Sequence, residues 1–252
     1  VTTRARVMTI GVTAAILALP SAAVSEPVKN ATVISIEGKA GNMLAPTAVA
    51  MPQRTPGMPV PTTTVRDSTR ARNAAKISSL SVLNQLLTAG PATDTRVVWR
   101  WYASFNAPYV IALDRVGPKG ADGWNYRVNS LYWGKGANMV NLGNGDRVTW
   151  YWGAWNAAVL EIAEPTTGSS PTATVGSGSM RVVINQVNWK RTRVPAAGAT
   201  VTYAGQTATT DASGAASFTA VPGRNVIRAT KSRVIAATLE ACLPAGGTTC
   251  TT

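Results

Sequence analysis

The chain has 252 residues, 45% of them hydrophobic, with 24 Lys and Arg against 11 Asp and Glu for a formal charge of +13. That length suits one large or two small domains, and a charged fraction of 14% beside abundant Gly, Pro, Ser and Thr favours short strands and turns over helix bundles. No histidine is present and only two cysteines, which excludes Ser-His and Cys-His nucleophilic sites and leaves too few ligands for a four-coordinate zinc centre.

Arg4 and Arg6 precede an apolar run from Val7 to Leu19, followed by Pro20-Ser21-Ala22-Ala23-Val24-Ser25. Residues 1–25 therefore read as a secretory signal peptide cut after Ala23 or Ser25. The run is short for a hydrocarbon core of about 30 Å, which needs about 20 residues, and no later segment is long and apolar enough to span. The expected mature protein is exported, extracellular or associated with the cell envelope, with no transmembrane segment. In that compartment Cys242 and Cys250 are expected to pair as a disulfide. A bridge over so few residues is worth about 2–3 kcal/mol at most and pins a terminus rather than a core. The tail, 244–252, carries no visible sorting signal.

Beyond the leader, Ala31–Gly38 alternates as a strand closed by glycine. Prolines at 46, 52, 56, 59 and 61 mark residues 45–64 as irregular, extended chain, with a second strand near Thr47–Met51 left open. Ile77, Leu80, Val82, Leu83, Leu86 and Leu87 trace one face of a helix that Gly90-Pro91 end and Asp67 or Ser68 cap. Strands are predicted over Arg96–Tyr102, Tyr109–Leu113, Trp124–Asn129 and Arg147–Trp152, with an aromatic turn at Tyr132–Gly136. One helix among several strands makes residues 26–164 a compact α+β unit. Residues 165–179 read as a linker rich in Pro, Gly and Ser, and strands recur from Met180 to Leu243.

Thirteen of the sixteen aromatic residues fall between Trp99 and Trp155. Trp99, Trp124, Trp150 and Trp152 are assigned to the core, where each large ring buries about 150–250 Å². Rings on successive strands point to both faces, and a single helix covers only one. Tyr132, Trp133, Tyr151 and Trp155 are therefore the candidates to stack on a flat ligand or a sugar ring. Asn129 either orients such a ligand or closes its own turn, with the turn preferred. Among the carboxylates of this region, Asp122 and Asp146 lie at glycine turns where Asp is ordinary turn chemistry, and no catalytic residue is assigned.

The strings Gly123-Trp124-Asn125-Tyr126-Arg127-Val128-Asn129 and Asn144-Gly145-Asp146-Arg147-Val148-Thr149-Trp150 carry the most specific pattern. Together with the aromatic turn between them they resemble the transcobalamin C-terminal-like domain of secreted bacterial proteins. The resemblance spans Ala31–Glu161, with its specific part in Gly123–Trp152. It implies a β-grasp-like fold of the soluble ligand-binding type, one helix on a mixed sheet, and brings cobalamin in as a ligand to consider; no cofactor is otherwise assigned. The cysteine pair that brackets the helix region in some relatives is missing here.

Gly198-Ala199-Thr200-Val201, then Thr210-Asp211-Ala212-Ser213-Gly214-Ala215-Ala216-Ser217-Phe218 and Pro222-Gly223 resemble the carboxypeptidase regulatory-like and collagen-adhesin B-type β-sandwich over residues 180–243. In such families the sandwich is a spacer or presentation module, and the linker would separate two independent units. The expectation is a secreted, non-enzymatic binding protein whose aromatic face meets a small molecule, a glycan or a cell-surface polymer. The alternative is a structural or adhesive surface protein acting through protein contacts. The cationic excess attracts anions, but the basic residues are scattered and mark no specific nucleic-acid site.

Overall fold

A computed structural model describes residues 31–52, 57–69, 74–163, 166–167 and 178–243. The expected signal peptide, Cys250, most of the segment read as a linker and the tail lie outside the described residues. In chain order the elements are β1 (Ala31–Gly38), β2 (Gly41–Ala50), β3 (Thr62–Arg66), β4 (Ala74–Ser78), α1 (Val82–Ala92), β5 (Val97–Tyr102), β6 (Ala107–Leu113), β7 (Gly123–Val128), β8 (Arg147–Gly153), β9 (Val159–Ile162), β10 (Thr166–Thr167), β11 (Ser179–Val187), β12 (Arg193–Pro195), β13 (Thr200–Tyr203), β14 (Gln206–Thr209), β15 (Ala215–Thr219), β16 (Gly223–Lys231) and β17 (Val234–Leu243).

The first module is built on a four-stranded mixed sheet of order β2-β1-β8-β7. Its two central strands, β1 and β8, run parallel, and each has an antiparallel partner outside it. Ile34, Ile36, Val148, Trp150, Trp124 and Trp152 share one apolar cluster with Val82, Leu83, Leu86 and Ala89 of the helix. The hairpin β5-β6 adds Trp99, Val110 and Leu113 to the same core. All four tryptophans assigned to the core from sequence are buried.

The helix begins later than its apolar spacing predicts. Ile77 lies in β4, paired with Thr63 of β3, and Ser81 is the N-cap, its hydroxyl accepting from Asn84 N at 3.2 Å. The helix also runs through Gly90-Pro91 to Ala92. Thr93 allows this, because its N–H reaches the carbonyls of Ala89 and Gly90 and closes the last turn. Asp67 caps no helix. Buried at the end of β3, it accepts from Thr69 N at 2.7 Å and from Trp101 N at 3.0 Å, tying the β3-β4 hairpin to β5.

Most of the proline-rich segment's first half is a regular strand, since β2 pairs with β1 up to Ala50. Pro46 fits there because β2 is an edge strand and its ladder shifts register between the partners of Ile34 and Ile36.

The second module is a nine-strand β assembly running β10-β11-β9-β17-β16-β13-β14, with β12 and β15 also paired to β11. Strand β11 joins the parts: Ser179–Val183 pair with β15, and Ile184–Val187 pair with β9. Val159–Ile162, placed in the first module from sequence, thus hydrogen-bond into the second. Met180, Val182, Ile184, Val201, Tyr203 and Phe218 are at the centre of its core. The Thr-Asp-x-x-Gly signature forms the predicted turn, with Asp211 Oδ1 accepting from Ser213 N at 2.8 Å and Ala215 N at 2.9 Å. The Ser213 hydroxyl and these amides hold the Asp211 carboxyl below its usual range. Cys242 at the end of β17 is disulfide-bonded.

The two modules are packed together rather than separated. The first module's sheet has a second face, and the second module covers it.

Candidate functional site

Side chains alternate along a strand, so the residues between the buried apolar ones of β1, β7 and β8 emerge on the sheet's far side. Register places Arg127 opposite Thr149 and Thr149 beside Ser35, then Asn125 opposite Tyr151 and Tyr151 beside Glu37. This far side is polar, and it is buried at Arg127, Ser35, Tyr151 and Glu37.

Glu37 receives a bidentate pair from Arg228, at 2.8 and 2.9 Å, with hydroxyl and amide bonds from Thr238 at 2.8 Å and Asn42 at 2.9 Å. Its carboxylate is fully satisfied, which a buried charge requires. Tyr151 packs with Val159, Val187 and Ile235, and its hydroxyl donates to the Trp155 carbonyl at 3.1 Å. Arg127 donates from Nη2 to the Ala157 carbonyl at 2.7 Å, and its guanidinium lies 5.1 Å from the Tyr132 ring centroid and 5.8 Å from that of Tyr151. Its Nε and Nη1 have no hydrogen-bond partner.

Tyr151 is therefore corrected from exposed stacking residue to buried support. The sequence reading left that face open because it treated the sandwich as a separate unit. Asn129 is likewise a turn residue. With φ of 52°, it donates from Nδ2 to Asp146 Oδ1 at 2.8 Å and accepts from Arg147 N at 2.9 Å. Asp146 Oδ2 accepts from Gly143 N at 2.7 Å. The Asn-Gly-Asp pattern, the most specific string in the sequence, thus ties the β8 entry to the end of β7. Asp114 accepts from Arg96 N at 2.9 Å, and Asp122 closes a turn with Lys119.

The other candidates meet at the surface. The Tyr132 and Trp155 rings lie 5.7 Å apart at 40°, and Trp155 continues to Trp189 at 5.5 Å and 67°. Trp155 and Trp189 are 48% and 41% exposed. Trp189 belongs to the β11-β12 turn of the second module, so the row crosses from one module to the other. Trp133, 42% exposed, stands beside it under the Arg191 guanidinium, 5.6 Å from the ring. Arg191 also donates to the Tyr132 carbonyl from Nε at 3.3 Å and Nη2 at 3.2 Å, fixing the aromatic turn against the second module.

Trp189 escaped sequence reasoning because it lies in the module taken as a spacer. A signal was present: Asn188-Trp189-Lys190-Arg191-Thr192 sets a large ring in a polar turn between strands.

Burial pushes the phenols of Tyr109, Tyr126 and Tyr151 above their ordinary 10.0, and the neighbouring Tyr132 adds to each shift; Arg127 pulls that of Tyr151 partly back. With folded-state values above the unfolded one, the unfolded chain releases its protons first. The stability these phenols hold is present below about pH 10 and is lost as pH rises through their folded-state values. Alkaline unfolding followed by circular dichroism should coincide with the tyrosinate absorbance of Tyr126 and Tyr151, since Tyr109 is 46% exposed; ionisation of Tyr151 well before unfolding would contradict its burial.

No protein-family model, curated protein or solved structure matches the chain significantly.

Proposed function

We propose that the chain is a non-enzymatic binding protein acting at the cell exterior, holding a glycan on the row Tyr132–Trp155–Trp189 with Trp133 at its side. The observation that carries this reading is a run of half-exposed rings fixed from below. Arg127 and Tyr151 underlie it, and Arg191 clamps its turn. Rings held this way lose little conformational freedom on binding, which favours affinity. Successive centroids 5.7 and 5.5 Å apart match the pitch of linked sugar rings, and tilts of 40° and 67° suit a chain of puckered sugars better than one broad plane such as a corrin. Cobalamin is accordingly the weaker candidate, and a small flat molecule stacked on one ring is the alternative within this reading.

The finer family assignments support an exported module of this kind. Parallel central strands with an antiparallel partner on each side and one helix on the apolar face fit the β-grasp-like, transcobalamin C-terminal-like reading. The carboxypeptidase regulatory-like or adhesin-type reading of the second module rests on its Thr-Asp-x-x-Gly turn. Protein-mediated adhesion is favoured by one observation, Phe105, 75% exposed at the β5-β6 tip.

Titration of the chain with cell-wall and plant oligosaccharides, followed by tryptophan fluorescence, tests the glycan reading. Trp155→Ala should cost about 2 kcal/mol of binding, as central aromatic anchors do, or roughly 30-fold in Kd. Unchanged affinity in Trp155→Ala would move the site elsewhere. No binding across the panel would favour adhesion through Phe105.

A further inference from the structure

We infer that the glycan is acidic, its carboxylate or sulfate groups read by Lys190, Arg191 and Lys135 while the rings carry the sugar faces. This rests on the binding reading above and names the ligand's class. The cations sit on two of the three turns that carry the rings. Lys190 Nζ is 5.4 Å from the Trp189 ring centroid and the Arg191 guanidinium 5.6 Å from that of Trp133, while Lys135 follows Trp133 by two residues.

Among the described residues no carboxylate neutralises them. Among the described residues no ion pair engages Lys135, Lys190 or Arg191. The turn segments 131–157 and 188–193 contain one acid, Asp146, and its oxygens serve Asn129 and Gly143. Glu161, on β9 close to the row, is held by Arg193 at 2.6 Å.

A second observation comes from beneath the row. Arg127 is fully buried under the Tyr132 ring, with Nε and Nη1 unpartnered and, among the described residues, no ion pair. A buried charge is poorly screened, so it projects positive potential through Tyr132 to the ligand side. The row is thus apolar on its faces and cationic at its rim and base, the complement of a sugar chain bearing anions. Single-stranded nucleic acid suits it less well, because successive bases stack on aromatic faces and these rings are inclined to one another by 40° and 67°.

The test uses the full chain with four probes: a galacturonic acid hexamer, a heparin-derived hexamer, the methyl-esterified galacturonate hexamer and an oligothymidylate. At low salt, at least one acidic hexamer should bind at least tenfold more tightly than the ester, and the gap should narrow as salt rises. Lys190→Gln combined with Lys135→Gln should close most of the gap between the acidic hexamers and the ester, with circular dichroism showing the fold intact. Equal binding of the acidic hexamers and the ester would overturn the acidic class and leave the glycan reading standing. Binding of no hexamer would overturn both. Tightest binding of oligothymidylate would overturn the acidic glycan in favour of a nucleic-acid ligand.

Discussion

Arg228→Ala is expected to destabilise the chain by about 3 kcal/mol, the lower end of the roughly 3–5 kcal/mol seen when one partner of a buried ion pair is removed. The lower end applies because the Arg228 side chain is 25% exposed, whereas that of Glu37 is 4% exposed. The substitution leaves the Glu37 carboxylate inside the module junction with only Thr238 and Asn42 to serve it. Glu37→Gln together with Arg228→Met should recover much of the loss, since an apolar or neutral replacement of both partners no longer strands a charge. Urea unfolding of the two variants beside the unsubstituted chain measures this. A loss below about 1 kcal/mol for Arg228→Ala, the range of exposed pairs, would mean that water reaches Glu37 and that the junction is looser than described.

Gly214→Ala should be comparably severe. Gly214 has φ of 77°, and an added Cβ would meet the Ile184 carbonyl oxygen and come within 3.1 Å of Ala196 N. Left-handed backbone costs a residue with a Cβ roughly 1–2 kcal/mol, and overpacking adds about 1–3 kcal/mol. The neighbouring atoms are backbone, and Ile184 N donates to the Gly214 carbonyl at 2.8 Å, so neither side can withdraw without breaking the β11 junction. A total of about 3 kcal/mol should appear as a lowered urea midpoint. Gly198→Ala provides the control: φ is similar at 71°, but nothing lies within 4 Å of the added carbon. Equal losses in the two variants would show that conformation alone matters and that the close approach at Ile184 is relieved at little cost.

Local pattern in the sequence translated well into local structure. Alternation located β1, β7 and β8, and the glycine signal located the Thr-Asp-x-x-Gly turn, although the strands on either side of it pair with β13 and β11 rather than with each other as a hairpin. The helix was found but shifted, because Ile77 and Leu80 continue an apolar spacing that Ser78 and Ser81 interrupt by bonding to the backbone. The fate of the sheet's second face was not legible. Glu37, Asn125 and Arg127 look like solvent-side residues on half-buried strands, and nothing within thirty positions of them reveals a cover contributed by Val187, Arg228 and Ile235. The candidate site was half legible for the same reason. Tyr132 and Trp155 come from one module and Trp189 from the other, and only folding across the linker brings them into contact. Tyr151 was misplaced by that same missing contact.

The second module buries the polar side of the first module's sheet, so the two modules are not interchangeable parts. A protein that acquired the first module without the second would carry Glu37, Arg127 and Tyr151 on an open surface, with the cation-bearing half of the ring row missing. Recombination that separated residues 31–163 from residues 178–243 would therefore break the Glu37–Arg228 pair and divide the ring row between Trp155 and Trp189.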